Sequence, residues 1–220
     1  MLGAIFDIDG TLVDSLGVWE ILWERLGERY LGDKSFRPSD EDAKKFRTML
    51  LADVMKFVST KYNMIADDKE ALEFLREFLV WYYKEKVTLK EGCIELLEGL
   101  AKKGVRLAVA SANDKEMLQK VLDIMGIKGY FSCCFSCDDV GCGKELPDVY
   151  VAAMNALGTP LSETVVFEDS VTAIETAKRY GFKVVGVFDK NNHSQDRIKE
   201  ISDVYVEEGE SLARVLECDI

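Results

Sequence analysis

Short apolar runs separated by helical patterns constrain this chain more than any other feature of its sequence. Residues 3–8 form an apolar run with Ile and Phe that breaks at Asp9-Gly10, the pattern of a buried strand entering a turn. Segments 105–110, 131–135, 164–167 and 183–188 have the same character, and 204–206 adds a short sixth. Between them, Cys93, Leu96, Leu97 and Leu100 share a helical face that stops at Gly104. Met117, Leu118, Val121, Leu122 and Met125 share another, ended by Gly126. A third helix is predicted from Val149, just after Pro147, whose ring suits a first helical turn. A fourth runs from Ser170, an N-cap residue type, to Gly181, a natural C-terminal stop. Such alternation predicts a doubly wound, mostly parallel α/β sheet with a Rossmann-like core and helices on both faces.

One region breaks the alternation. Residues 15–87 carry no strand pattern, only three helical stripes. The first is Trp19, Leu22, Trp23, Leu26 and Tyr30; the second Ala43, Phe46, Leu50, Val54, Phe57 and Val58; the third Leu72, Leu75, Leu79 and Tyr82. The expected organisation is an α/β core of residues 1–14 and 88–220 with a helical cap of residues 15–87 inserted after the first strand. Ligands of open α/β sheets bind beyond the carboxyl ends of the strands, so an insertion there is placed to act as a lid.

Composition narrows the function classes. A net charge of −12 argues against a nucleic-acid partner, because phosphate backbones are held by clustered Lys and Arg. No apolar run approaches the ~20 residues that cross a bilayer, and no basic export leader precedes the first strand. A soluble, monomeric, cytoplasmic protein is expected, with no membrane partner. Cys133, Cys134, Cys137 and Cys142 cluster in sequence like a loose zinc site. They form no pair of C-x-x-C knuckles, and His193 is the only histidine. A short apolar strand followed by a loop is the plainer reading.

The most specific segment is Asp7-Ile8-Asp9-Gly10-Thr11. Where a strand ends and the chain turns, two carboxylates can converge on one site. A positioned carboxylate can act as a nucleophile, and a second can protonate a leaving oxygen and then deprotonate water. Gly10 would let main-chain N–H groups approach an anion. Taken alone, the same segment also suits a calcium loop or an acidic turn. Three further segments follow later strands. Ser111-Ala112-Asn113 precedes a helix, where a hydroxyl and N–H groups can hold phosphate oxygens. Lys144, ahead of Pro147-Asp148, can offset charge on a transferring phosphoryl group. Glu168-Asp169-Ser170 can complete a hard oxygen site of the kind magnesium prefers. Taken singly, these three read as a helix cap, a solvated lysine and an acidic cap.

In order and context, these four segments resemble the haloacid dehalogenase superfamily, in its branch of helical-cap phosphatases and β-phosphoglucomutase-like enzymes. The resemblance covers essentially the whole chain. It implies that Asp7 forms an aspartyl-phosphate, Asp9 is the general acid–base, Ser111 binds the phosphoryl group and Lys144 steadies it. It implies Mg²⁺ held by the carboxylates of Asp7 and Asp169 and the main-chain carbonyl of Asp9, with Glu168 and Ser170 one layer further out. Gly10, Ala112, Asn113 and, in the cap, Arg47 would line the phosphate or substrate. The third segment departs from the family's common G-K-P-x-P-D in having Glu145 for the first proline, so a looser loop is expected with the following helix intact.

Asp9 sets dehalogenation aside, since the dehalogenases lack the second aspartate. Where the mutase resemblance calls for a cap histidine, ten residues past Asp9, this chain has Trp19, and no clear counterpart of the mutase's cap arginine is found. Both points favour a phosphatase acting on a small phosphorylated metabolite, such as a sugar phosphate or phosphoglycolate. A phosphomutase is the alternative, and a non-catalytic binding protein on the same fold a further one. Trp19, Trp23, Arg37 and Arg47 are the cap residues that could meet substrate, although the spacing of the tryptophans suits core packing better.

Overall fold

Runs of branched apolar residues too short for helices build the sheet, which is seen in a computed structural model describing residues 1–46, 51–62, 64, 68–192 and 194–220. Its strands are β1 (Gly3–Phe6), β2 (Arg106–Ser111), β3 (Cys133–Ser136), β4 (Thr164–Glu168), β5 (Lys183–Val187) and β6 (Val204–Val206). They lie in the order β3-β2-β1-β4-β5-β6, and each pairing is parallel. β1 is central and buried at all four positions, as expected of a parallel strand covered on both faces. The chain leaves β1 towards β2 and leaves β4 towards β5, on opposite sides. A topological switch point therefore falls between the carboxyl ends of β1 and β4, the place where open α/β sheets hold ligands. Strand ends differ from the predicted runs by one or two residues, with all six segments present.

The chain divides into two units, Met1–Leu16 with Val87–Ile220, and Gly17–Lys86. The second is helical: α1 (Val18–Leu26) running into a π turn (Gly27–Leu31), α2 (Asp40–Phe46), α3 (Leu51–Tyr62) and α4 (Asp68–Glu85). The stripe predicted over 43–58 falls on α2 and α3, with Arg47 and Leu50 outside the described residues. The α4 stripe is met in part, with Leu75 and Tyr82 buried as expected. Leu72 is exposed, and Ala71, Phe74, Leu75, Phe78 and Tyr82 are the buried face. Aromatic rings outweigh leucine in choosing that face because each buries more apolar area. Trp23 is buried, stacked on Trp19 and tilted against Phe46 at 5.8 and 5.4 Å between ring centroids, so it belongs to the packing of this unit.

In the first unit, α5 (Cys93–Lys102), α6 (Lys115–Ile124), α7 (Cys137–Val140), α8 (Asp148–Leu157), α9 (Val171–Tyr180) and α10 (Gln195–Ile201) accompany the strands. Ile5, Ala108, Ala110 and Val166 from the sheet share one buried cluster with Val149, Tyr150 and Ala153 of α8 and Ile174 of α9. Each large apolar side chain buried there contributes about 1.5–3 kcal/mol. The small alanines of β2 let α8 approach closely, which brings Tyr150 to the strand ends. Among the described residues, no helix is long and apolar enough to cross a membrane.

The turn after β1 depends on Gly10. Its φ of 88° lies in the left-handed region, and a Cβ there would stand 2.5 Å from an Asp169 carboxylate oxygen and 2.8 Å from Leu16. Gly10→Ala is expected to cost about 1–3 kcal/mol of stability, from backbone strain and overpacking together. Urea unfolding of the two proteins checks this; an unchanged midpoint would mean that the turn can move aside.

Candidate active site

The sheet register places three carboxylates at one point. Asp7 directly follows β1, and its N–H still bonds the Phe167 carbonyl of β4 at 3.0 Å. Glu168 is the last residue of β4 and Asp169 the next. All three side chains are buried, and one carboxylate oxygen from each lies within 4.8 Å of the others. Lys144, from the loop between α7 and α8, reaches into this cluster. Its ammonium donates to Asp7 Oδ1 and, at 2.5 Å, to Glu168 Oε1. The Tyr150 hydroxyl donates to the same Glu168 oxygen at 2.8 Å. Glu168 Oε2 accepts the N–H groups of Asp169 and Ser170 at 3.2 and 3.3 Å. The Thr11 hydroxyl holds Asp169 Oδ1 at 3.1 Å. Among the described residues, no buried side-chain nitrogen or oxygen lacks a partner.

Burial pushes the Asp7 carboxyl up to about 7, against the pull of Lys144 and with the push of Glu168 and Asp9. Burial also lifts Asp169 well above the carboxylate range, helped by the charges of Asp7 and Glu168. Burial alone would depress Lys144, but attraction to Asp7 and Glu168 overrides it and holds the ammonium above its ordinary value. Fully ionised, the three carboxylates would outweigh the one ammonium by two charges, an excess that the upward shifts of Asp7 and Asp169 reflect. An all-oxygen donor set with that excess suits a hard divalent cation.

Asp9 is held separately. The Ser15 hydroxyl donates to its Oδ1 and the Asn113 amide to its Oδ2, both at 2.6 Å. Asn113 thus ties the second segment to the first by its side chain. Its N–H donates to the Ser111 hydroxyl oxygen at 3.1 Å, and its carbonyl accepts from Ser136 at 2.6 Å. Ser111 is buried at the end of β2, and Ala112 is exposed beside it. Asp114 then caps α6 by accepting the Met117 N–H at 2.9 Å. Asp7, Asp9, Gly10, Ser111, Asn113, Lys144, Glu168, Asp169 and Ser170 are thereby brought to one end of the sheet. Arg47 lies outside the described residues.

One expectation takes a different form, and the plainer reading of the cysteines holds. The loop at Glu145 is braced: its carboxylate accepts the Gly143 N–H and its carbonyl accepts the Thr176 hydroxyl, each at 3.2 Å. The cysteines are free thiols. Cys133 and Cys134 are neighbours on β3 and so project to opposite faces, which prevents a common ligand set. Tyr150 and Thr11 were not singled out by the sequence. Thr11 stood within the first segment, whereas nothing local marks a buried tyrosine on α8 as a partner of Glu168.

The sequence model of the haloacid dehalogenase-like hydrolases matches residues 1–181. Validoxylamine A 7′-phosphate phosphatase of Streptomyces hygroscopicus subsp. limoneus is 30% identical over 193 residues, 84% of each chain. Phosphoglycolate phosphatase of Aquifex aeolicus is 28% identical over 186 residues, 81% of each chain. Among solved structures, a Thermotoga maritima protein provisionally assigned as a β-phosphoglucomutase superposes with a TM-score of 0.81 at 22% identity. That superposition covers 99% of this chain and 97% of the other, and is a likeness of fold alone. With its α/β core, its strand-end carboxylates and a match over most of its length, the chain belongs to the haloacid dehalogenase-like hydrolase family.

Proposed function

We propose that the protein is a Mg²⁺-dependent phosphoric monoester hydrolase. Its substrate is a small phosphorylated metabolite of the sugar phosphate or phosphoglycolate type, and the reaction passes through a phosphoaspartate on Asp7. The observation that carries this reading is the Lys144 ammonium held between Asp7 and Glu168 within the buried carboxylate cluster. The two phosphatases named above, each similar over four-fifths of this chain, support the reaction class.

In this mechanism an Asp7 carboxylate oxygen attacks phosphorus, and the bond from phosphorus to the leaving oxygen breaks. Asp9 gives that oxygen a proton. Lys144 orients the nucleophile and offsets charge on the phosphoryl oxygens, while Ser111 and the N–H groups beside it hold those oxygens. Asp9, now a carboxylate, takes a proton from water as the water attacks the phosphoaspartate. Inorganic phosphate leaves and Asp7 is restored. Asp7, Asp169 and the Asp9 carbonyl are the groups assigned to Mg²⁺, which when bound supplies positive charge opposite the phosphoryl oxygens. Glu168 contributes through its hold on Lys144 and on the Asp169 and Ser170 amides. Substrate choice is assigned to the helical unit, and hydrolysis is preferred over phosphoryl return because Trp19 replaces the histidine expected of a mutase.

A Mg²⁺-dependent phosphate-release screen over sugar phosphates, phosphoglycolate, polyol phosphates and nucleotides tests the reading. Asp7→Asn is expected to abolish release, and Asp9→Asn to lower it by about 10²–10⁴-fold. Activity retained in Asp7→Asn would sink the nucleophile assignment. Conversion of β-glucose 1-phosphate to glucose 6-phosphate faster than phosphate release would make the protein a mutase. Silence across the whole panel would favour a binding protein.

The metal assignment has its own check. Mg²⁺ at a hundredfold excess over its Kd should stabilise the fold by about 2.7 kcal/mol. The resulting rise in Tm should vanish in Asp169→Asn and on addition of a chelator. A Tm indifferent to Mg²⁺ in the unsubstituted protein would refute the site.

A further inference from the structure

Asp169 sends its carboxylate into the acidic cluster, but its main-chain carbonyl lies one residue before the N-cap of α9. The first bond of that helix runs from the Ile174 N–H to the Ser170 carbonyl, so the ladder provides the Asp169 carbonyl no partner. Its partner is the side-chain amide of Asn192, which donates to it at 2.6 Å. The other end of the same peptide plane is the Ser170 N–H, which bonds Glu168 Oε2 at 3.3 Å. A peptide unit is rigid, so gripping it at both its C=O and its N–H fixes how the Asp169 side chain leaves the backbone.

Asn192 is itself built in. Its N–H donates to the Asp189 carbonyl at 2.9 Å. The Gln195 amide closes the loop by donating to the carbonyls of Asp189 and Asn192 at 2.7 and 2.9 Å. Asp189 is buried, and its carboxylate accepts the Asn191 N–H at 2.9 Å and pairs with Lys90 at 3.2 Å. Lys90 also donates to the Phe188 carbonyl, and Lys190 pairs with Asp14 at 2.8 Å. Asp14 and Lys90 lie on the chain segments that enter and leave the helical unit. Those segments pair through Asp14 N–H to Thr88 carbonyl at 3.0 Å and Lys90 N–H to Leu12 carbonyl at 2.9 Å.

We propose that the loop of residues 188–192 is a strap that positions Asp169 for its cation, with Asn192 as the positioning residue. The proposal rests on the metal reading above and adds a residue outside the four segments that carry it. Asn192 touches neither substrate nor cation; it acts through the backbone of a ligand residue.

The test uses the full chain without substrate, with Mg²⁺ as the titrant in calorimetry and the metal-free Tm as a measure of the fold. Asn192→Ala removes the donor, and Asn192→Asp keeps the shape while putting an acceptor where the donor was. Both are expected to weaken Mg²⁺ binding about tenfold while the metal-free Tm stays close to that of the unsubstituted protein. Asp169→Asn serves as the reference that loses binding. Wild-type Mg²⁺ affinity in both Asn192 variants, with binding lost in Asp169→Asn, would overturn the strap and leave the metal site standing. Unaltered binding in Asp169→Asn would overturn the metal reading and the strap with it. If Asn192→Ala fails to fold, Asn192→Asp decides alone.

Discussion

The Lys144 ammonium lies between Asp7 and Glu168, and the rest of the strand-end region is arranged around that contact. Burying a carboxylate costs several kcal/mol even after relaxation, and here three are buried side by side. One lysine cannot neutralise them, so the surrounding chain supplies hydrogen bonds: Tyr150 and two N–H groups to Glu168, Thr11 to Asp169. The local field is still negative in a protein whose formal net charge is −12. A dianionic phosphate ester would be repelled without a further positive charge. Electrostatics thus ties the stability of the site and the proposed role of a cation to the same residues.

Much of this was legible in the sequence, for physical reasons that differ between elements. β1 is buried on both faces, so residues 3–6 read as an unbroken apolar run. The start of α8 and the end of α9 were marked by Pro147 and Gly181, whose backbone preferences act locally. Asp7, Asp9 and Asp169 could be picked out because each comes just after a strand, and the carboxyl end of a parallel sheet is where such residues meet; Lys144, in the loop between α7 and α8, was marked by its place ahead of Pro147-Asp148.

Other features left no local trace. In α4 the expected stripe keeps Leu75 and Tyr82 buried, but Phe74 and Phe78 pack inward and leave Leu72 exposed. Asn113, expected on the phosphate side, uses its amide to bond Asp9. Tyr150 and Asn192 reach the site through tertiary contacts spanning 18 and 23 residues of chain. A hydrogen bond of that range has no periodicity or spacing by which it could be read.

The central place of β1 has a consequence for how the site comes into being. Its neighbours are β2, about a hundred residues later, and β4, later still; Phe6 packs on Phe167 at 4.3 Å between rings. Asp7 therefore waits, during synthesis, for a lysine 137 residues away and for carboxylates beyond it. Until β4 docks, the carboxylates remain apart in water, where each is an ordinary solvated acid. The mutual repulsion of the carboxylates therefore arises only when β4 pairs with β1, so the proposed cation site exists only in the closed sheet.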